Sequence, residues 1–83
     1  MKVTVHYFAS LREALGATDT VGVSAGDTVG SVRDALMRRS PAHAEALNRK
    51  RALRCALNQT LCDESAALEE GAEVAFFPPV TGG

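Results

Sequence analysis

The sequence has no tryptophan, only two cysteines and three prolines, and no excess of either charge. A disulfide-stabilised secreted domain of this size carries more cysteines, so the two thiols favour a reducing compartment. Nine lysines and arginines against ten acidic residues leave a net charge of −1, without the basic field that nucleic-acid binders use. Apolar runs fall short of the roughly 18 residues that span a bilayer. The N-terminal segment also becomes polar too early for a signal peptide. We therefore expect a cytoplasmic protein with neither a nucleic-acid nor a membrane partner.

The composition that remains is that of a small globular domain. Hydrophobic residues make up 46% and charged residues 23% of the 83 positions. A chain of this length forms one compact domain with a small core and little room for a deep pocket. Cys55 and Cys62 lie in apolar stretches outside any CxxC pair, so we interpret them mainly as core side chains. Because histidines and cysteines lack finger-like spacing, we expect no metal site.

Hydrophobic periodicity predicts five strands around one main helix. In residues 1–8, Val3, Val5 and Tyr7 share a face, which predicts a strand that leaves Phe8 on the opposite face. Further strands are short and bounded by turn residues, and they are predicted at residues 20–23, 53–57, 60–62 and 72–77. A turn at Asn58-Gln59 joins the third and fourth of the five.

Three helical segments and one ambiguous turn complete the pattern. A short helical turn is predicted at residues 10–15, with Ser10 as its cap. The main helix is expected to begin at Asp27 or Thr28 and to end before Pro41. Shorter segments are predicted at residues 42–50, as a helix, and at residues 63–68, as a capped turn or single-turn helix. This order is expected of an α+β protein of the ubiquitin-like β-grasp type, with a mixed sheet packed on one main helix.

The last six residues differ from the rest in character. Pro78 and Pro79 end the final strand because proline cannot donate a ladder hydrogen bond, and they favour an extended backbone. Gly82 and Gly83 have no side chains, so they can enter a narrow channel with the terminal carboxylate unobstructed. Taken alone, a Gly-Gly terminus is equally consistent with a frayed end. We therefore divide the chain into a folded domain, residues 1–77, and a flexible, extended tail, residues 78–83.

Three segments resemble the small subunit of molybdopterin synthase, a family of sulfur carriers with a ubiquitin-like fold. They are Val5-His6-Tyr7-Phe8-Ala9-Ser10-Leu11-Arg12-Glu13, Asn58-Gln59-Thr60-Leu61 and Glu73-Val74-Ala75-Phe76-Phe77-Pro78-Pro79-Val80-Thr81-Gly82-Gly83. The likeness covers essentially the whole chain, and its C-terminal motif is specific. His6, Cys55, Cys62 and Ala72 depart from the residues usual in that family, and none of these departures affects the terminal glycines.

The resemblance implies a carrier cycle centred on Gly83. A ubiquitin-activating-enzyme-like adenylyltransferase would use ATP to adenylate its carboxylate, and a persulfide sulfur donor would convert the adenylate to a thiocarboxylate. The loaded tail would enter the large synthase subunit and give sulfur to cyclic pyranopterin monophosphate, which completes the molybdopterin dithiolene after a second transfer. The segment expected to insert is Pro79, Val80, Thr81 and Gly82. In this scheme ATP serves the activating partner, the carrier holds no permanent cofactor, and the large subunit provides the active site.

A docking face is predicted beside the tail. Strand alternation places Phe8 and Phe77 opposite the core-facing side chains, and they would lie together if the first and last strands are neighbours. An exposed aromatic patch marks a partner surface. The resemblance adds Arg12 and Leu61 to this interface. The alternative is that Phe8 and Phe77 cover a second small core.

Other functions remain open from the residues alone. The chain could carry sulfur for another pathway, such as thiazole formation in thiamine synthesis. It could be a ubiquitin-like modifier joined through Gly83 to lysines, or a noncovalent adaptor. A self-contained enzyme is disfavoured, because neither His6 nor His43 has a paired nucleophile and the glycines form no phosphate-binding loop.

Overall fold

Alternating valines form the centre of the sheet in the computed structural model, which describes residues 1–79. Val3, Val5 and Tyr7 are fully buried on one face of the first strand, as the alternation predicts. The elements, in chain order, are β1 (Lys2–Tyr7), α1 (Ser10–Leu15), β2 (Thr18–Gly22), α2 (Val29–Met37), α3 (Pro41–Ala46), β3 (Arg54–Leu57), β4 (Thr60–Cys62) and β5 (Glu73–Phe77).

The five strands form one mixed sheet in the order β2-β1-β5-β3-β4. The pair β1–β5 is parallel, with Val5 opposite Val74 and Tyr7 opposite Phe76. The other pairs are antiparallel. The first and last strands are therefore neighbours, and their carboxyl ends lie at the same edge of the sheet.

The core lies between one face of this sheet and α2. From the sheet come Val3, Val5, Tyr7, Val74 and Phe76, and from α2 come Val29, Val32 and Leu36, all at most 1% exposed. Each side chain of this size stabilises the fold by roughly 1.5–3 kcal/mol when it is fully buried. The main helix predicted from the sequence is thus the helix that packs on the sheet.

Side chains of Thr28 and Ser31 begin α2 with a reciprocal capping box. The segment after β4 satisfies further N–H groups of the first turn, since Val29 donates to Ala66 and Gly30 donates to Glu64. This segment, predicted as a turn or single-turn helix, is a turn. Its carbonyls are used at the start of α2.

Some predicted boundaries shift, and one predicted cap is wrong. Ala9, with φ 54°, is the N-cap of α1, and no side chain caps that helix, so Ser10 is its first residue instead. β2 begins two residues earlier than predicted, because Thr18 pairs with His6 on β1. The helix predicted over 42–50 is shorter at its end and begins at Pro41, capped by the Ser40 hydroxyl, which accepts from His43 N–H.

Arg33 is the buried charged residue of the described chain, 3% exposed on α2. Its guanidinium donates to the carbonyls of Leu47 and Asn48 and to the carboxylate of Glu64, at 2.6–2.7 Å. Arg49 reaches the same carboxylate. These bonds anchor the loop after α3 and the turn after β4 to α2.

In residues 1–79, helices are too short to cross a membrane. The same part of the chain has no cluster of three or more His, Cys, Asp or Glu side chains able to hold a metal ion. The predicted division at residue 77 stays a prediction: Phe77 ends β5, while residues 80–83 of the proposed tail lie outside the described residues.

Candidate functional site

The register of the strands determines which side chains form the outer face of the sheet, the face that points away from α2. Ala75 on β5 lies opposite His6 on β1 and opposite Ala56 on β3, and Ala56 lies opposite Leu61 on β4. Directly opposed residues point to the same face. A mostly apolar row therefore crosses four strands, and Leu61 at its end is 62% exposed.

Phe8 and Phe77 lie at one end of this face. Phe8 directly follows β1, is 47% exposed, and its N–H donates to the Phe76 carbonyl at 3.3 Å. Phe77 is half-buried on β5 opposite Arg54. Exposure of Phe8 argues against a second core that would bury it, and the open face has the character required of a docking surface.

A shallow depression of about 170 Å³ lies on this face. Its lining includes Phe8, Gln59 and Ala75, and His6 Nε2 lies 3.8 Å from Glu73 Oε2 at the same place. Sites for small molecules usually enclose roughly 300–1,000 Å³. The face is therefore better suited to contact with another protein than to binding of a small substrate.

Parallel pairing of β1 and β5 explains how the other predicted residues are placed. Because both strands run in the same direction, Phe8, α1 and Pro78 all follow from the same edge of the sheet. Arg12 lies on α1 at this edge, exposed, and makes no ion pair within residues 1–79. It is outside the apolar row of the sheet.

The predicted tail is described only at its beginning. Pro78 and Pro79 are half-buried and lie outside regular secondary structure. Val80, Thr81, Gly82 and Gly83 lie outside the described residues, so the predicted insertion segment and carrier residue are not among the positions that the structure describes.

A second polar cluster joins β1, β2 and α3. The Asp19 carboxylate accepts from the Tyr7 hydroxyl at 2.8 Å, and its Oδ2 lies 2.8 Å from Nε2 of His43. The Ser40 hydroxyl lies 2.7 Å from Nδ1 of His43. Arg39 lies 3.4 Å from the same carboxylate.

Electrostatics in this cluster keep Asp19 ionised. Burial would raise the pKa of Asp19, but hydrogen bonds from His43 and Tyr7 outweigh it and lower the pKa. Burial raises the pKa of Tyr7 strongly, and its bond to Asp19 adds to the rise. The Ser40 hydroxyl also accepts the hydrogen bond from His43 N–H, at 3.1 Å, that caps α3. Because His43 bonds both to this cap and to Asp19 on β2, we interpret the cluster as a structural contact that holds α3 against the sheet.

Sequence reasoning missed several residues of both regions. His43 was expected to have no paired nucleophile, yet it contacts the Ser40 hydroxyl and the Asp19 carboxylate. Ala56 and Ala75, in the middle of the outer row, carry no chemical signal, and only the strand register could have identified them. The contact of His43 with Asp19 and the outer row depend on long-range pairing, which spacing in the sequence does not encode, whereas Ser40 and His43 are three residues apart at the start of one helix.

The chain was compared with known proteins. The ThiS family profile matches residues 5–83. The molybdopterin synthase sulfur carrier subunit of Escherichia coli (strain K12) is 44% identical over 82 residues, which cover 98% of this chain and 99% of that protein. The protein of the same name from Haemophilus influenzae (strain ATCC 51907 / DSM 11121 / KW20 / Rd) is 38% identical over 81 residues, with coverage of 98% and 99%.

Solved structures give the same fold. The crystal structure of H. volcanii small archaeal modifier protein 1 matches with a TM-score of 0.77 and 30% identity, over 95% of this chain and 98% of that chain. The mixed five-stranded sheet with its main helix is thus a ubiquitin-like β-grasp, which confirms the fold predicted from the sequence.

Proposed function

Because the chain belongs to the ThiS family, we propose that it is the sulfur carrier subunit of a molybdopterin synthase, with Gly83 as the carrier residue. The observation that carries this proposal is the end-to-end similarity to a molybdopterin synthase sulfur carrier subunit at 44% identity. The open outer face and, among residues 1–79, the lack of a substrate-sized cavity on it support a protein that acts by docking to a partner.

The chemistry begins with a carboxylate that cannot exchange oxygen for sulfur unaided, because oxide is a poor leaving group. An adenylyltransferase joins the Gly83 carboxylate to AMP from ATP and releases pyrophosphate. A persulfide sulfur then displaces AMP, and a second thiol cleaves the resulting acyl disulfide to leave the thiocarboxylate. The carrier residue thus forms the covalent intermediates, while partner enzymes supply the catalytic groups.

The described residues serve delivery in this proposal. The large synthase subunit binds the outer face through Phe8, Phe77 and Leu61, with Arg12 at the edge where the tail leaves β5. Docking there fixes the origin of the tail, so that Pro79, Val80, Thr81 and Gly82 insert and Gly83 meets cyclic pyranopterin monophosphate. Holding two reacting groups in one geometry converts a bimolecular step into an effectively unimolecular one.

The assembly expected from the resemblance is a heterotetramer of two large and two small subunits. Each loaded carrier supplies one sulfur, and a second loaded carrier completes the dithiolene. No cofactor is needed on the carrier itself, since ATP is consumed by the activating partner.

A second function is favoured by one specific comparison. The H. volcanii protein of similar structure is named a small archaeal modifier protein, and it is 30% identical to this chain. A modifier would use the same activated Gly83 carboxylate but transfer it to the amine of a lysine. The two functions therefore differ in the nucleophile that attacks the acyl group.

Intact mass spectrometry tests the proposal. The full chain is incubated with its adenylyltransferase, ATP and a persulfide donor, and the expected product has one oxygen replaced by sulfur at Gly83. The matched control lacks Gly83 and should remain unchanged. Absence of the sulfur product, with an adenylyltransferase active on a known carrier, would overturn the proposal, and isopeptide bonds from Gly83 to lysines would instead support a modifier.

A further inference from the structure

The β3–β4 hairpin brings the two cysteines of the chain together. Cys55 on β3 lies directly opposite Cys62 on β4. Their sulfur atoms are 3.8 Å apart, and the Cys55 thiol also donates to the Cys62 carbonyl at 3.3 Å. Both thiols are free.

This position is compatible with a disulfide without refolding. Opposed residues of an antiparallel pair have Cα atoms about 4.5–5.5 Å apart, inside the roughly 4.4–6.8 Å range of disulfides. Closing the sulfur atoms from 3.8 Å requires side-chain rotation and a small approach of the strands. β4 is a three-residue edge strand, paired only with β3, so it is free to make that adjustment.

Small reagents have access to the pair from one side. A surface depression of about 290 Å³ is lined by Leu53, Arg54, Cys55, Cys62, Asp63 and Glu64. Cys62 is half-buried and Cys55 is buried. The first encounter with a reagent therefore takes place at Cys62.

The two thiols have different environments. Burial raises the pKa of Cys55 to about 12, and the hydrogen bond and charge of Cys62 and the carboxylates of Glu64 and Asp63 add to the rise. Cys55 is therefore a protonated thiol at neutral pH. Burial still raises the pKa of Cys55 once Cys62 is bound in a mixed disulfide, so the closing step is the slower one and depends on the short distance between the two sulfur atoms.

We propose that Cys55 and Cys62 are a thiol–disulfide exchange site that reacts with low-molecular-weight disulfides and closes into a reversible intramolecular disulfide. The Cys62 thiolate attacks one sulfur of the reagent, forms a mixed disulfide and expels one thiolate. Cys55 then attacks the Cys62 sulfur and expels the second thiolate, and the two protons of the cysteines pass to the leaving groups. The protein loses two protons and two electrons, equivalent to two hydrogen atoms, and the reagent is reduced to two thiols. This proposal rests on the hairpin geometry and on the unequal access to the two thiols, and it is independent of the carrier function.

The test uses the reduced full chain and oxidised glutathione under native conditions. We expect a final mass lower by two hydrogen atoms, a cross-link between Cys55 and Cys62 in peptide mapping, and reversal by a thiol reductant. The oxidised chain should also unfold at a higher urea concentration, because the cross-link restricts the unfolded chain. A stable glutathionyl adduct on the wild-type chain, or a disulfide between two chains, would overturn the proposal.

Two matched variants separate the roles of the cysteines. Cys55→Ala retains the more accessible thiol and should stop at a glutathionyl adduct on Cys62. Cys62→Ala retains the buried thiol and should react at least ten-fold more slowly, with circular dichroism to verify that both variants are folded. Equal reactivity of the two variants would refute Cys62 as the entry thiol. The wild-type mapping decides the cross-link itself, even if a variant fails to fold.

Discussion

Leu61 is the side chain whose contribution to docking can be worked out most directly. It is 62% exposed on the outer face, so its substitution removes little from the fold. Complete burial of a leucine side chain is worth roughly 1.5–3 kcal/mol, and the exposed fraction therefore offers about 1–2 kcal/mol to a partner that covers it. Since 1.4 kcal/mol is a factor of ten, Leu61→Ala should weaken binding to the large synthase subunit about 5- to 25-fold.

Met1→Ala is a matched control for this prediction. Met1 is an apolar side chain of similar exposure, 43%, but it precedes β1 and lies at the opposite end of that strand from Phe8. Titration calorimetry with the large subunit should show a weaker Kd for Leu61→Ala and an unchanged Kd for Met1→Ala. Urea unfolding should change by less than about 0.5 kcal/mol for Leu61→Ala, as is usual for a surface substitution. An unchanged Kd for Leu61→Ala would refute the assignment of the outer face as the docking surface.

Three further predictions concern the C-terminal tail, the stabilisation by Glu64 and its loss at low pH, and the polar cluster around Asp19. Extension of the chain beyond Gly83 should abolish sulfur loading, measured by intact mass, while circular dichroism is unchanged; loading of an uncleaved extended chain would contradict the carrier scheme. Glu64→Gln should lower the free energy of unfolding by about 1–3 kcal/mol at pH 7, because a charged acceptor of Arg33 and Arg49 is lost. Burial would raise the Glu64 pKa, but hydrogen bonds from both arginines outweigh it and lower the pKa. The carboxylate therefore stabilises the fold above its unfolded pKa of about 4.3, and this stabilisation is lost as pH falls through the folded value. In urea unfolding from pH 7 to 3, the free energy of unfolding should fall less with pH in the variant than in the wild type, and an equal fall would contradict this. Tyr7→Phe should cost about 1.5–3 kcal/mol in urea unfolding, since its hydroxyl bonds to an ionised carboxylate, and no loss would show that this bond adds nothing to stability.

Local patterns predicted the elements that bury one regular face. Val3, Val5 and Tyr7 alternate because a strand with one buried face repeats every two residues, and they are buried as predicted. The main helix, α2, was equally predicted from hydrophobic periodicity and its cap. Thr18 belongs to β2 because it pairs with His6 on β1, not because of an apolar pattern. The sequence shows no apolar signal there, so the start of β2 was predicted too late in the chain.

The features of the site that could be predicted depend on residues close together in the sequence, and those that could not depend on residues far apart in it. Phe8 was placed opposite the core by alternation alone, but its position beside β5 depends on the parallel β1–β5 pair, which periodicity does not specify. From the sequence, the prediction therefore held only on the condition that the first and last strands are neighbours. Asp19 on β2 and His43 on α3 meet Arg39 from the turn between α2 and α3, so no local motif indicated their contact.

The parallel β1–β5 pair links the fold to the proposed function. A parallel pair has both carboxyl ends at one edge, so the side chain after β1 and the chain after β5 necessarily lie close together. An antiparallel arrangement of the same two strands would have placed Phe8 at the far end from Pro78. In the proposed carrier, the partner that covers Phe8 and Leu61 thereby also holds the origin of the tail, although the described part of the domain provides no substrate-sized pocket on that face. Docking and delivery of Gly83 thus depend on one strand pairing. A substitution that weakens binding of the large subunit to the outer face should reduce sulfur transfer by that subunit. It should leave adenylation of Gly83 intact if the activating enzyme binds another surface.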